Sequence, residues 1–279
     1  MKIALSTLTR RSLSGLVLAM GAPLFAATLH ACSDEGSPDT GGKRVVLLTR
    51  ADLAPGGAKF SNGYGWNVEL SRALIATGAI YYFEGAPAVE AMRWVPRLQS
   101  LLGLTSAHAH PGHYQTGDAL GQVLEPWSFD VLEGADLPAG DGVTGLYRSG
   151  SLSFAAPSAG PAAEELGEFI AAVEGTASKE GEDTRYFLAQ ARFDDVAKSV
   201  AEARVSGSVF EEITVETDGT VTITIRPEVW FRLVDFSVAE TGEEGAPAEF
   251  ASGTEPSIAF AQGLAQASAY SFVFTPSNP

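Results

Sequence analysis

The sequence predicts a mostly β fold, an antiparallel β-sandwich or barrel-like domain with one to three short helices. Short runs of β-branched and aromatic residues recur from Val45 to Phe274, many of them with period-two alternation. Thirty glycines and 15 prolines supply turn chemistry between those runs. Helical spacing is scarce, and no repeat of fixed period is present.

Val45–Thr49 is a short apolar strand, and Trp66, Val68 and Leu70 alternate with Asn67, Glu69 and Ser71 to give a second. Ala79–Phe83 forms an aromatic strand that closes at Glu84-Gly85. Val89, Met92, Val95, Leu98 and Leu102 follow helical spacing up to Gly103, with Pro96 splitting or kinking the element. Leu146–Phe154 alternates again. Pro161–Val173 has helical composition interrupted by Gly167.

Phe169–Val173 and Arg185–Phe193 flank Lys179-Glu180-Gly181-Glu182-Asp183, a loop with hairpin chemistry. In the second arm Phe187, Ala189, Ala191 and Phe193 fall on one face. Asp194–Ala203 has the composition of two to three helical turns. Over Ile213–Ile225 the dipeptide Asp218-Gly219 separates two alternating strands, which predicts a hairpin closed by a type I′ turn. Ile213 and Val215 would then face Val221, Ile223 and Ile225. Pro227 ends that unit, Glu228–Phe236 suits a short helical turn or another strand, and Tyr270–Phe274 is a final strand.

The chain holds 34 acidic and 18 basic side chains, a formal net charge of −16. That balance excludes nucleic acid as a partner, because phosphate binding needs clustered Lys and Arg. Its single cysteine excludes an intrachain disulfide framework. Residues 1–31 carry Lys2, Arg10 and Arg11 and no acid, followed by the apolar stretch Gly15–Ala27. As a helix that stretch reaches only about 20 Å, short of the roughly 30 Å hydrocarbon core, so it is expected to be a secretory signal rather than a span.

Leu29-His30-Ala31-Cys32 resembles the lipobox of bacterial lipoprotein precursors, with His30 where a small residue is usual. The resemblance implies lipidation of Cys32 as the new N-terminus and anchoring in the cell envelope. With Ser33 rather than Asp next, the outer membrane is favoured, facing periplasm or surface. Thr9-Arg10-Arg11-Ser12-Leu13 resembles a twin-arginine export signal, the alternative to the general route. Residues 32–43 hold the lipidated cysteine and a polar tether, Ser33–Lys43, without a large apolar side chain. Residues 44–279 form a single β-rich domain, with a split into two lobes near Pro157–Pro161 as the alternative.

The histidines after the leader, His108, His110 and His113, all lie in Ser106–Tyr114. In an extended segment His108 and His110 point to one face, and Pro111-Gly112 can turn His113 back toward them. Three neutral imidazoles suit Zn²⁺, Cu²⁺ or Ni²⁺, with Asp118, Glu125, Tyr114 or water as fourth ligand. Hydrogen bonding within an irregular loop, acid–base use and pH sensing are the competing roles. This loop, with Asn62–Trp66, Tyr81–Gly85 and Gly117–Gly121, is similar to an uncharacterised group of bacterial lipoproteins over about residues 50–155. The similarity implies a localisation and metal binding and carries over no particular activity.

The motifs H-E-x-x-H, G-x-S-x-G and the phosphate-loop pattern are absent from the sequence. No catalytic residue is assigned; a zinc hydrolase would need a carboxylate base, for which Glu125 is the candidate. Glu164-Glu165, Glu211-Glu212 and Glu243-Glu244 suit solvated faces. Trp66, Trp94, Trp127 and Trp230 would stack on sugars if exposed, although Trp66 and Trp230 suit a core better. Two functions follow: an envelope lipoprotein that captures or buffers Zn or Cu(II) or hands it over to an envelope protein partner, or an envelope binding or assembly domain recognising glycan, peptidoglycan or a protein.

Overall fold

The computed structural model describes residues 42–87 and 117–277. The leader, Cys32, most of the tether and the helical spacing of Val89–Leu102 lie outside the described residues. Among those described, thirteen strands join into one hydrogen-bonded sheet: β1 Arg44–Leu53, β2 Lys59–Ser61, β3 Asn67–Phe83, β4 Ala119–Val123, β5 Trp127–Asp130, β6 Ala135–Val143, β7 Gly145–Phe154, β8 Ala171–Ser178, β9 Arg185–Ala191, β10 Arg204–Val215, β11 Gly219–Ile225, β12 Ala248–Glu249 and β13 Tyr270–Pro276. Four short helices accompany them: α1 Ala163–Leu166, α2 Phe193–Ala197, α3 Pro227–Trp230 and α4 Glu255–Leu264.

Eight of the strands close on themselves. Neighbours run β3-β4-β6-β1-β11-β13-β10-β7, and β7 pairs back onto β3 through Thr77↔Phe154 to Phe83↔Ser149. This is a barrel, the closed form of the predicted β class, and closure removes its free edges. Its ladders are antiparallel except β1 with β11 and β10 with β13. Tyr82 fills the interior, with ring centroids 5.7 Å from both Phe210 and Phe272 and 6.4 Å from Tyr147.

β3 is 17 residues long and belongs to two layers. Its second half is a barrel stave; its first half pairs with β8 and β2, and β9 and β12 extend the sheet from β8. The two strands predicted at Trp66–Ser71 and Ala79–Phe83 are therefore one. Alternation fails between them because Ala73–Gly78 is buried on both faces. Leu74 and Ala76 pack under α1 with Leu166, while Ala73 and Ile75 face the main core.

The hairpin predicted over Ile213–Ile225 does not form. β10 and β11 are antiparallel but not neighbours, because β13 lies between them. Glu216–Asp218 cross the end of β13, where Asp218 accepts the Ser277 N–H at 2.9 Å on its carbonyl and the Val46 N–H at 2.8 Å on its carboxylate. Gly219 has no positive φ. It is needed for space, since a Cβ there would overlap the Phe274 ring and the Thr275 carbonyl.

The β8–β9 hairpin forms as expected, with Gly181 at φ +81° in its loop. Phe187, Ala189 and Ala191 are buried, but Phe193 is exposed because it begins α2 rather than ending the strand. Asp194–Ala203 is less helical than predicted: α2 stops at Ala197, and a 3-10 turn follows over Ala201–Ala203. Of the two alternatives for Glu228–Phe236, the helical turn is present as α3. β4, β5, β6 and α4 carry only weak local patterns in the sequence. Gly263, next to the last residue of α4, admits Trp230, whose carbonyl a Cβ would overlap.

Candidate functional site

His108, His110, His113, Tyr114 and Trp94 lie outside the described residues, as does Cys32. The described residues contain no histidine or cysteine, and no group of three or more His, Cys, Asp or Glu side chains among them is arranged to hold a metal ion. They do define the root of the histidine segment. β3 ends at Phe83 opposite Ala119 at the start of β4. A Cβ on Gly117 would lie 3.3 Å from the Gly85 nitrogen, so the described chain before and after the histidine segment comes together there.

Glu84 and Asp118 flank that root. His113 is four residues from Gly117, a reach of at most about 14 Å. Glu125 follows β4, Ala119–Val123, at its other end. Of these two candidate carboxylates Asp118 is the one at the root. Glu125, also the candidate base of a zinc hydrolase, is remote from it.

The chain joins the barrel at this same end. The Lys43 N–H donates to Thr144 Oγ1 at 2.9 Å, and the Thr144 N–H to the Lys43 carbonyl at 2.8 Å. Arg44 pairs with Val143, and Gly121 with Gly142. Those two glycines admit large neighbours: a Cβ on Gly142 would lie 2.8 Å from the Tyr147 hydroxyl. The Arg44–Asp141 ion pair, 3.9 Å and exposed, contributes little.

The buried tyrosines of the barrel strands have their hydroxyls paired, while the Ser151 and Ser208 hydroxyls on β7 and β10 are buried without a hydrogen-bond partner among the described residues. Thr49 and Tyr82 share a hydrogen bond of 3.0 Å, and the Tyr147 hydroxyl lies 2.8 Å from the Leu120 and Val143 carbonyls. Burial raises the Tyr147 phenol to about 12 and those of Tyr82 and Tyr270 further. In the unfolded chain tyrosines lose protons near pH 10. Above that pH the unfolded state binds fewer protons than the native state, so stability is complete below about pH 10 and falls as pH rises toward 12. Urea midpoints are expected to decline from about pH 10 upward; a midpoint still flat near pH 11.5 would contradict this burial.

Trp66 and Trp230 are fully buried, Trp66 against Phe236 at 5.8 Å, so neither offers a face to a sugar. Trp127 is half-buried. The three glutamate pairs are exposed, and Glu165 and Glu212 form surface ion pairs with Arg72 and Arg148.

A cleft of about 370 Å³ lies away from the root, between the end of β9, α2, β12 and α4. Phe250 and Ala261 are buried at its base, and Ile258 is exposed at its rim. The Arg192 guanidinium sits 4.7 Å over the Phe169 ring and binds the Glu168 carboxylate, a hydrogen bond that holds Glu168 below the usual carboxylate range. Lys198 pairs with Asp195 at 3.1 Å. Asp195 also accepts the Arg192 N–H at 3.0 Å, and burial opposes these bonds without overcoming them, leaving its carboxyl lowered. Sequence reasoning missed this cleft. Thr254-Glu255-Pro256 ahead of Phe260 and Leu264 is a helix-start signal that could have located one wall. No family model matches the chain, and no similar curated protein or solved structure was found.

Proposed function

We propose that this chain is a lipid-anchored protein of the bacterial cell envelope that binds Zn²⁺ or Cu²⁺ through His108, His110 and His113. Its role is capture, buffering or handover of the ion. The observation that carries the reading is the clustering of all three histidines after the leader within six residues, between described residues, Gly85 and Gly117, that lie side by side next to Glu84 and Asp118. Asp118, Tyr114 or water completes the coordination. Lipidated Cys32 holds the protein at the outer membrane. The tether joins the barrel at the end that roots the histidine segment, which favours handover to a membrane-borne partner.

The test is a Zn²⁺ and Cu²⁺ titration of the purified chain against a variant with all three histidines replaced by Ala. The expected outcome is loss of the one-equivalent site, with Glu125→Gln leaving affinity unchanged. Unaltered stoichiometry in the triple variant would sink the reading. The cleft favours a second reading, a binding or assembly domain for an envelope peptide, glycan or protein.

A further inference from the structure

The outer edge of β9 is only partly covered. Tyr186 accepts the Gly242 N–H at 3.1 Å on that edge, and Leu188 accepts the Phe250 N–H at 2.9 Å. β12 pairs there with Phe187 and Leu188 alone and ends at Glu249. Strand geometry sends the N–H and C=O of alternate residues to the same edge, so those of Gln190 follow Leu188 outward. Gln190 lines the 370 Å³ cleft, and its outward main-chain groups have no main-chain partner among the described residues. An unpaired edge of this kind is a template for another extended chain.

We propose that the cleft binds an extended peptide, laid in line with β12 and hydrogen-bonded to the main chain of Gln190. The cleft has the volume of a specific ligand site, for which about 300–1,000 Å³ is usual. One wall is the sheet edge and the other is α4, so the peptide's alternate side chains meet Phe250 and Ala261 below and Ile258 at the rim. The cations Arg192 and Lys198 are balanced by Asp195 and Glu249. The occupant is therefore neutral, with small apolar side chains at every second position. This extends the second reading and is independent of the histidines.

The probe is the neutral peptide acetyl-Thr-Val-Thr-Val-Thr-amide, titrated into the isotopically labelled full chain and read by amide resonances. Saturable shifts are expected at Gln190, Phe250 and Ile258, unchanged when the three histidines are Ala. Replacing the peptide's internal amides in turn by esters removes one N–H donor each and leaves the protein intact. At least one ester is expected to bind about five- to tenfold more weakly, the worth of one main-chain hydrogen bond. Ile258→Asp should weaken binding without lowering the unfolding midpoint. No shifts at millimolar peptide, equal binding of every ester, or a protein dimer that occupies this edge and resists peptide would each overturn the proposal.

Discussion

Phe187→Ala is expected to destabilise the protein by about 3–5 kcal/mol, the cost of deleting a fully buried phenylalanine. Its ring is the centre of the second aromatic cluster, with centroids 5.3 Å from Phe231, 5.0 Å from Phe236 and 5.7 Å from Phe250. These partners come from the chain just after α3 and from the residue following β12. The ring therefore fastens the irregular segment 227–250 onto the sheet that β8 and β9 add to β3. The neighbours also pack on one another, Phe231 on Phe236 at 6.2 Å and Phe236 on Phe250 at 6.0 Å, so they cannot close the space without separating and the cavity term is not relieved. Denaturant unfolding would show the loss, and the thermal midpoint should fall by roughly 10 °C for a domain of this size. A change below about 1 kcal/mol would mean that the cluster is loosely packed.

Gly219→Val is expected to cost about 3 kcal/mol, by overpacking rather than by backbone strain. The added side chain meets the Phe274 ring and the Thr275 carbonyl, and β11 and β13 are in register there through Gly219↔Pro276 and Thr220↔Thr275. Gly181→Ala is the control. Gly181 has φ +81° and nothing within 4 Å of an added Cβ, so its substitution costs only the left-handed backbone term, about 1–2 kcal/mol. Since a Cβ alone already overlaps Phe274 at 219 and meets nothing at 181, Gly219→Ala should cost more than Gly181→Ala. A Gly219→Ala cost no larger than that of Gly181→Ala in urea unfolding would contradict the insertion of β13.

What was legible in the sequence was local. The β8–β9 arms are adjacent in sequence and each has one buried face, so alternation and Gly181 suffice to find the pair. Alternation also marks the ends of β3, whose middle is sheathed on both sides and loses the period. Asp218-Gly219 misled because the residues that separate β10 from β11 lie far ahead at Tyr270–Pro276. Nothing in Ile213–Ile225 reports them. The histidine cluster is legible as chemistry, and β-pairing adds which carboxylate shares its root: Asp118 and Glu125 are equivalent in composition but stand at opposite ends of β4. The cleft was illegible because its walls meet only through tertiary contact between β9 and a helix more than 60 residues later.

The insertion of β13 also sets the order in which the barrel can be completed. β1 waits for a neighbour whose contact spans 172 residues, from Val46 to Asp218. The seam between β10 and β11 stays open until β13 has been synthesised. Until then, two long edges are available to other chains, and the Asp218-Gly219 hairpin is the nearest competing product. Tyr270–Pro276 acts as the keystone of the ring: a nascent or truncated chain without it holds every other stave and still cannot close.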